Sequence, residues 1–274
     1  MFAASSILFV PGSRPVRFAK ARSAGAGLVV IDLEDAVPAD DKAAAREAAL
    51  GEVARDPAGL AVRINALATS AGIADLAVLA ATDAMPATLL LPMVEHARDC
   101  AIVAAVLGPR CPTLVPLIET PLGLRHAREI AAALGVVAVM FGGADFAGEL
   151  RVRPAWEPLL AARQHLMLAC AEARVPAIDV PFIHLDDEAG LTEECARSRA
   201  LGFAAKAAIH PHQIAAIEAA FMPGAGEIAE AREALAAYEE AGDAAIRHKG
   251  RMLEAPIVKH YRAVIARSEG QANA

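Results

Sequence analysis

Eight short apolar runs recur along the chain, each followed by a stretch with helical periodicity, and this alternation restricts the fold more than any other feature. The runs are Ser6–Val10, Gly27–Leu33, Leu60–Ile64, Thr88–Val94, Thr113–Ile118, Val136–Phe141, Ala177–Ile183 and Ala204–Ile209. Each is apolar over nearly its whole length, as expected of parallel strands covered on both faces. The main helical stretches are Pro15–Ala24, Asp41–Ala54, Ile73–Thr82, Glu95–Leu107, Pro121–Leu134, Ala155–Arg174, Asp187–Leu201 and Pro211–Phe221. Thr120-Pro121 is a good helix start, with Thr as N-cap and Pro at the first helical position. Eight such strand–helix units predict the α/β class and a (β/α)8 TIM barrel. A doubly wound open sheet is the rival, but it needs a glycine fingerprint after an early strand, and the first turn reads PGSRP instead. Pro223-Gly224 closes the barrel portion, which assigns residues 1–222 to the barrel and 223–274 to a helical extension with helices over Glu227–Ala241 and Pro256–Ala266. A barrel does not require such an extension, so its apolar face is expected to pack on a neighbouring subunit.

Composition decides between environments. Hydrophobic residues make up 56% of the 274 and mean hydropathy is +0.39, which raises the question of a membrane. The longest charge-free run, Ile130–Ala144, contains three glycines and falls short of the roughly 18 apolar residues that a spanning helix needs. The N-terminus, MFAASSILFVPGSRP, lacks a basic region and reads as a first strand, not a signal peptide. The net charge is 26 − 33 = −7, with no basic excess to neutralise phosphates, so nucleic acid is not an expected partner. Cys100, Cys111, Cys170 and Cys195 form no CxxC pair and are expected to be buried free thiols in a cytoplasmic protein.

In a (β/α)8 barrel the working groups sit at the C-terminal ends of the strands. Applied to this chain, that rule brings Arg14, Asp32-Leu33-Glu34-Asp35, Arg63, Glu95, Glu119, Asp145, His184, Asp186 and His210 to one rim. Carboxylates dominate, with two arginines among them, a mixture that suits a hard divalent cation beside a bound anion. Oxygen ligands favour Mg²⁺ or Mn²⁺ over zinc. Glu119 and Asp145 end consecutive strands, which lie about 4.8 Å apart, so both carboxylates can converge on one ion. Arg63 can hold a substrate carboxylate by a bidentate contact. Each residue also has a structural reading. Glu119 can complement a helix dipole, Asp145 can be a turn residue, Asp32 and Asp35 can pair with Lys42 or Arg46, and Arg63 can be an ion-pair partner. His210-x-His212 is a weak metal signal.

The stretches SILFVPGSRPVRFAKA, VVIDLEDAVPADDKAAAR, AVRINA, LLLPMVE, VPLIETPLG, FGGADFAGEL and GFAAKAAIHPHQI resemble, in order and over almost the whole chain, the citrate lyase β-subunit-like proteins of the HpcH/HpaI aldolase family. That family also holds malyl-CoA, β-methylmalyl-CoA and citramalyl-CoA lyases and related thioesterases. The resemblance implies a TIM barrel, a homotrimer or hexamer, and a Mg²⁺ site. By position, Glu119 and Asp145 would ligate the metal and Glu119 would also border the substrate. Arg63 would bind the substrate's carboxylate or oxyanion. Glu34 and Asp35 would orient metal-bound waters, and Arg14 would lie at the thioester end.

Two positions depart from the family's pattern. Met93 stands where the family usually has Lys. Glu254, in Gly250-Arg251-Met252-Leu253-Glu254, stands where an Asp of the family's tail reaches a neighbouring subunit's site and transfers protons. The expected reaction is Mg²⁺-dependent cleavage or formation of a 3-hydroxyacyl thioester (citramalyl-, malyl- or citryl-CoA) with a 2-oxo acid and an acetyl thioester as the fragments, Glu254 returning the proton. The alternatives are a metal-dependent aldolase acting on free 4-hydroxy-2-oxo acids and a non-catalytic relative that keeps the fold.

Overall fold

Strand β1 (Ser6–Pro11) pairs in parallel with β2 (Leu28–Asp32) on one side and with β8 (Ala205–Ala208) on the other, which closes the sheet into a barrel. The structure is a computed structural model and describes residues 2–272. Between them, β3 (Leu60–Arg63), β4 (Thr88–Leu91), β5 (Thr113–Ile118), β6 (Val139–Phe141) and β7 (Ala177–Asp179) follow in sequence order, all parallel. The fold is the TIM barrel expected from the alternation. The helices of this part are α1 (Phe18–Arg22), α2 (Lys42–Arg55), α3 (Ser70–Ala81), α4 (Ala97–Leu107), α5 (Pro121–Arg125), α6 (Ala127–Ala131), α7 (Gly143–Leu150), α8 (Trp156–Ala173), α9 (Glu188–Leu201) and α10 (Gln213–Phe221).

Five strands, β4 and β7 most of all, end before the apolar runs that contain them. The ladder ends at Leu91 and Asp179, while the apolar sequence continues through Val94 and Ile183. Those extra residues form the loops above the barrel, where Val180, Pro181 and Ile183 line a cavity. The stretch expected as one helix over Pro121–Leu134 is two, broken at His126, whose side chain turns back to the carbonyl of Glu95 at 2.8 Å. Helix α7 was not foreseen, because GGADFAGEL opens on two glycines that weaken its helical signal.

The chain separates into two compact units, Met1–Glu218 and Ala219–Ala274. The second holds α11 (Ala225–Glu240), an antiparallel hairpin of β9 (Ile246–His248) and β10 (Arg251–Leu253), and α12 (Ala255–Ala272). Its core is Ala234, Tyr238, Leu253 and Val258. The extension is therefore not purely helical, as the sequence reading had it. The hairpin turns on Lys249-Gly250, both with positive φ (46° and 81°), as a two-residue type I′ turn requires. No helix among the described residues is long and apolar enough to cross a membrane. The four cysteines are free, and Cys100, Cys170 and Cys195 are buried, while Cys111 is only half-buried, contrary to expectation. Burial pushes the Cys100 and Cys170 thiols up to about 12 and that of Cys195 to about 11, which keeps all three protonated and unreactive.

Period-2 alternation sorts the strand residues. Ile7, Val30, Ala61, Leu90, Leu117, Met140, Ile178, Ala205 and Ala207 fill the barrel interior. Asp179 and Lys206, one position removed from these, point to the layer between sheet and helices. They are cross-strand partners, both 0% exposed, with Nζ 2.8 Å from Oδ2. Arg163 of α8 donates to the other oxygen of Asp179 at 2.8 Å, Ser198 of α9 donates to Oδ2, and Glu194 takes Lys206 from the far side at 2.7 Å. Burial disfavours the charge on Asp179, but Lys206 and Arg163 outweigh it and hold the carboxyl below its ordinary range. The same partners raise Lys206 above the ordinary lysine value against its own burial.

Removing one member of such a set leaves an unmatched buried charge, which costs about 3–5 kcal/mol. Lys206→Met is expected to lose stability of that order at neutral pH. Asp179 contributes its part only while ionised, so wild-type loses it as pH falls through the depressed folded value. The gap between wild-type and variant, read from urea unfolding at a series of pH values, therefore narrows in acid. A gap independent of pH would contradict the assignment.

Candidate active site

The interior alternation that buries Val30, Ala61 and Leu117 brings Asp32, Arg63 and Glu119 to the inward face two residues later, at the C-terminal mouth of the barrel. Asp32 and Arg63 are register partners on β2 and β3. Their side chains meet as a fork, Nε to Oδ1 at 2.7 Å and Nη2 to Oδ2 at 2.8 Å. Asp32 also accepts the backbone N–H of Glu34 (3.0 Å) and Ala36 (3.2 Å), so one carboxylate folds the Asp32–Asp35 turn and fixes the arginine. That turn brings Glu34 Oε2 within 2.8 Å and Asp35 Oδ2 within 3.3 Å of Nη1 of Arg63. The Glu34 contact is close enough for an ion pair, but its angle leaves Oε2 buried without a hydrogen bond. The ring of Phe9 lies 5.3 Å from the guanidinium carbon.

Glu119 follows β5 directly and is buried. Its Oε2 accepts the backbone N–H of Met93 at 2.7 Å. Met93 adopts φ 53°, a left-handed conformation that costs a non-glycine residue about 1–3 kcal/mol and here points an amide at the carboxylate. Gly142, after β6, makes room on the other side. A Cβ there would fall 2.0 Å from Cγ of Glu119. Asp145 reaches the site from the first turn of α7, not from a strand end. Arg63, Glu119, Asp145, Asp32, Asp35 and Phe9 all line one cavity of about 410 Å³, walled by Leu117, Met140, Val180 and Ile183 among others.

Several acids surround a single cation here, and the pKa values of three of them are raised. Burial first, then the charges of Glu119, Asp35 and Asp32, raise Glu34 to about 8 against the pull of Arg63. Burial likewise raises Glu119 to about 7, with Asp145 and Asp35 adding to it, although Met93 N–H and Arg63 oppose the change. Asp145 is raised by burial and by Asp35. Burial works against the charge on Arg63, but its bonds to Asp32 and the nearby Glu34 and Asp35 drive it well above its ordinary value. The cavity thus holds more negative charge than its arginine balances. Among the described residues no three His, Cys, Asp or Glu side chains gather as a ready ligand set. Two carboxylates completed by ligand oxygens and water is the pattern that suits Mg²⁺ rather than zinc or calcium.

The structure corrects the reading of Arg63 and the pairing of Asp32 and Asp35, and it shows where Arg14 and Glu254 lie. The Nε–Nη2 edge of Arg63 is taken by Asp32, so it is not open as a bidentate clamp for a substrate, and Nη1 is what remains toward Glu34 and Asp35. Asp32 and Asp35 pair with Arg63 and not with Lys42 or Arg46. Lys42 instead donates to the carbonyls of Leu33 and Glu34 and to Asn65, and Arg46 pairs with Asp75. Arg14 is exposed in the loop after β1 and does not line the cavity. Glu254 belongs to the second unit, exposed, with its carbonyl accepting the N–H groups of Ile257 and Val258 at the start of α12. Met93 N–H and Gly142 were not singled out for Glu119. Only the two glycines before Asp145 hinted at a close approach.

The sequence profile of the HpcH/HpaI aldolase/citrate lyase family matches residues 5–211. The chain belongs to this family. Within it, the citrate lyase subunit beta-like protein of Mycobacterium tuberculosis is 36% identical over 95% of this chain and 94% of that protein. The (3S)-malyl-CoA thioesterase of Cereibacter sphaeroides is also 36% identical, over 86% of this chain and 83% of its own length. The crystal structure of CitE from M. tuberculosis in complex with magnesium, acetoacetate and coenzyme A matches with a TM-score of 0.85 and 34% identity, over 97% of this chain and 98% of that one.

Arg63 is the charge on which the rim of this family member rests. Arg63→Met leaves Asp32, Glu34 and Asp35 facing one another and removes the charge that opposes the raised pKa of Glu34. An acid raised in this way stabilises the fold more as pH falls. The variant is therefore expected to be several kcal/mol less stable than wild-type at pH 8 and to recover part of that loss at pH 5. Thermal unfolding across that range checks the sign.

Proposed function

We propose that this protein is a Mg²⁺-dependent carbon–carbon lyase that cleaves or forms a 3-hydroxyacyl thioester. The observation that carries the reading is the pair of carboxylates with raised pKa values, buried Glu119 and solvent-open Asp145, that line one cavity beside Arg63. The kinship with citrate lyase β-like proteins, one of them crystallised with magnesium, acetoacetate and coenzyme A, supports the metal and the thioester. Glu119 and Asp145 would hold the cation, with Mn²⁺ as the substitute. When bound, Mg²⁺ supplies Lewis-acid polarisation of the substrate's oxygens.

The chain's own groups divide the remaining work. Met93 N–H and the gap at Gly142 keep Glu119 in one orientation. Asp32 fixes Arg63, whose positive charge faces the negative charge that develops as the bond breaks. Glu34, with a buried oxygen free of hydrogen bonds, and Asp35 are placed to order water around the acids. Phe9, Leu117 and Met140 give the cavity an apolar wall, which lowers the local dielectric and strengthens these electrostatic effects. In the cleavage direction the 3-hydroxyl would give up its proton to a water ordered by Glu34 and Asp35, the bond between C2 and C3 of the acyl chain breaks, and its electrons pass to the thioester as an enolate. A 2-oxo acid leaves, and the enolate takes a proton at carbon. The exposed Glu254 of a neighbouring copy in a trimer or hexamer would supply that proton, and Arg14, in the exposed loop after β1, would meet the thioester's carrier outside the cavity.

A second reading has one observation in its favour, the equal identity to a (3S)-malyl-CoA thioesterase. Incubation with malyl-CoA and citramalyl-CoA separates the two. A lyase releases glyoxylate or pyruvate without free thiol, and a thioesterase releases thiol without an oxo acid.

Glu119→Gln should abolish Mg²⁺ binding by calorimetry and turnover with it. Gly142→Ala pushes Glu119 aside without changing any charged residue, and ångström-scale misplacement costs around 10²-fold in rate. Wild-type Mg²⁺ affinity and turnover in both variants would refute the metal assignment.

A further inference from the structure

Between the loop after β6 and the loop after β7 lies a second cavity of about 180 Å³. It shares Ala144, Val180, Pro181 and Ile183 with the active-site cavity. Arg163, 2% exposed, lines it. Its Nε is committed to Asp179, and its guanidinium lies 4.5 Å from the ring of Trp156 and 5.3 Å from that of Phe141. Its Nη1 is buried with no hydrogen-bond partner. Buried guanidinium N–H groups are almost always satisfied, so this one points to an acceptor that belongs in the cavity.

Two helix starts border the same space, Gly143 of α7 and Ala155-Trp156 of α8, and neither has a side-chain cap. Both contribute partial positive charge to it. The acid in the wall, Glu194, is neutralised by Lys206 at 2.7 Å, and Asp179 is taken by Arg163, Lys206 and Ser198. Charge is already matched on every side, and the unmatched atom is a donor. We propose that this side cavity binds a carboxylate, received by Nη1 of Arg163 against the start of α8. The flat aromatic flanks of the guanidinium suit a planar anion.

The carboxylate has two sources. It is either a free small acid or the far end of a diacid whose other end occupies the adjoining active site. Only the second source rests on the proposed function.

The chain has one tryptophan, and Trp156 lines this cavity, so its emission reports the site without any assay of activity. Acetate and succinate are titrated into the protein with and without Mg²⁺, with chloride as the control. Arg163→Lys keeps a cation for Asp179 but lacks Nη1. Ala155→Asp supplies a favourable N-cap for α8, so it folds, and it places an acid where the ligand's would lie.

A saturable, chloride-independent change is expected in wild-type, weakened about tenfold or more in both variants, as for loss of a charged hydrogen bond. Equal responses to acetate and succinate without Mg²⁺ identify a free acid. A response confined to succinate with Mg²⁺ identifies the far end of a diacid. No saturable response in wild-type, or an unweakened one in Ala155→Asp, overturns the proposal whatever the lyase assay shows. A lyase assay that fails while the Trp156 response stands overturns the proposed function alone.

Discussion

The bond between Asp32 and Arg63 is the constraint on which the mouth of the barrel depends. It joins neighbouring strands at their last inward positions, so it exists only if the register of β2 and β3 is right. It also folds the turn after β2, because the same carboxylate takes two backbone N–H groups of that turn. Glu34 and Asp35 are then carried to the arginine's remaining nitrogen. A slip of one residue would send Asp32 and Arg63 outward and bring Leu33 and Ile64 in. Fold and site are thus specified by one contact.

That contact leaves a deficit. Arg63 is shared among three acids of one turn and also opposes the raising of Glu119 and Asp145. Buried acids without enough cationic partners either protonate or wait for a metal. The raised values of Glu34 and Glu119 are the protonation branch of that choice, seen in the protein by itself. The same strand alternation makes a second, outer cluster from Asp179 and Lys206, but there cations and acids match and the acid is held low. The difference between a strained site and a structural clasp is therefore one of charge count, not of burial, since the outer cluster is the more buried of the two.

The barrel was legible because eight doubly covered strands write themselves as apolar runs, and each run overlaps one strand of the barrel. Their C-terminal ends were overread for a physical reason. Val180 and Ile183 are apolar because they wall a cavity, and a run of hydrophobic residues does not say whether it ends in a ladder or in a pocket. Asp145 was placed at a strand end because α7 begins with glycines. The partner of Arg63 was open for a different reason. Spacing says which strand a residue leaves, while cross-strand register, which pairs it with Asp32, appears only once the sheet is assembled. The hairpin at Lys249-Gly250 was hidden because its strands are three residues long and its turn lacks the usual asparagine or aspartate.

Met93 shows how a departure from the family's residue pattern can leave the site whole. Its role for Glu119 is carried by a backbone amide, held in place by a left-handed φ that the surrounding loop imposes. An amide has no residue identity, so exchanging the family's usual lysine for methionine does not by itself change the donor that orients Glu119. What the exchange alters is the side chain, 40% exposed, and with it the charge presented outside the cavity. The loss of that cation makes the rim more negative still. The consequence at the rim is a stronger pull on a divalent cation and a weaker one on an anion.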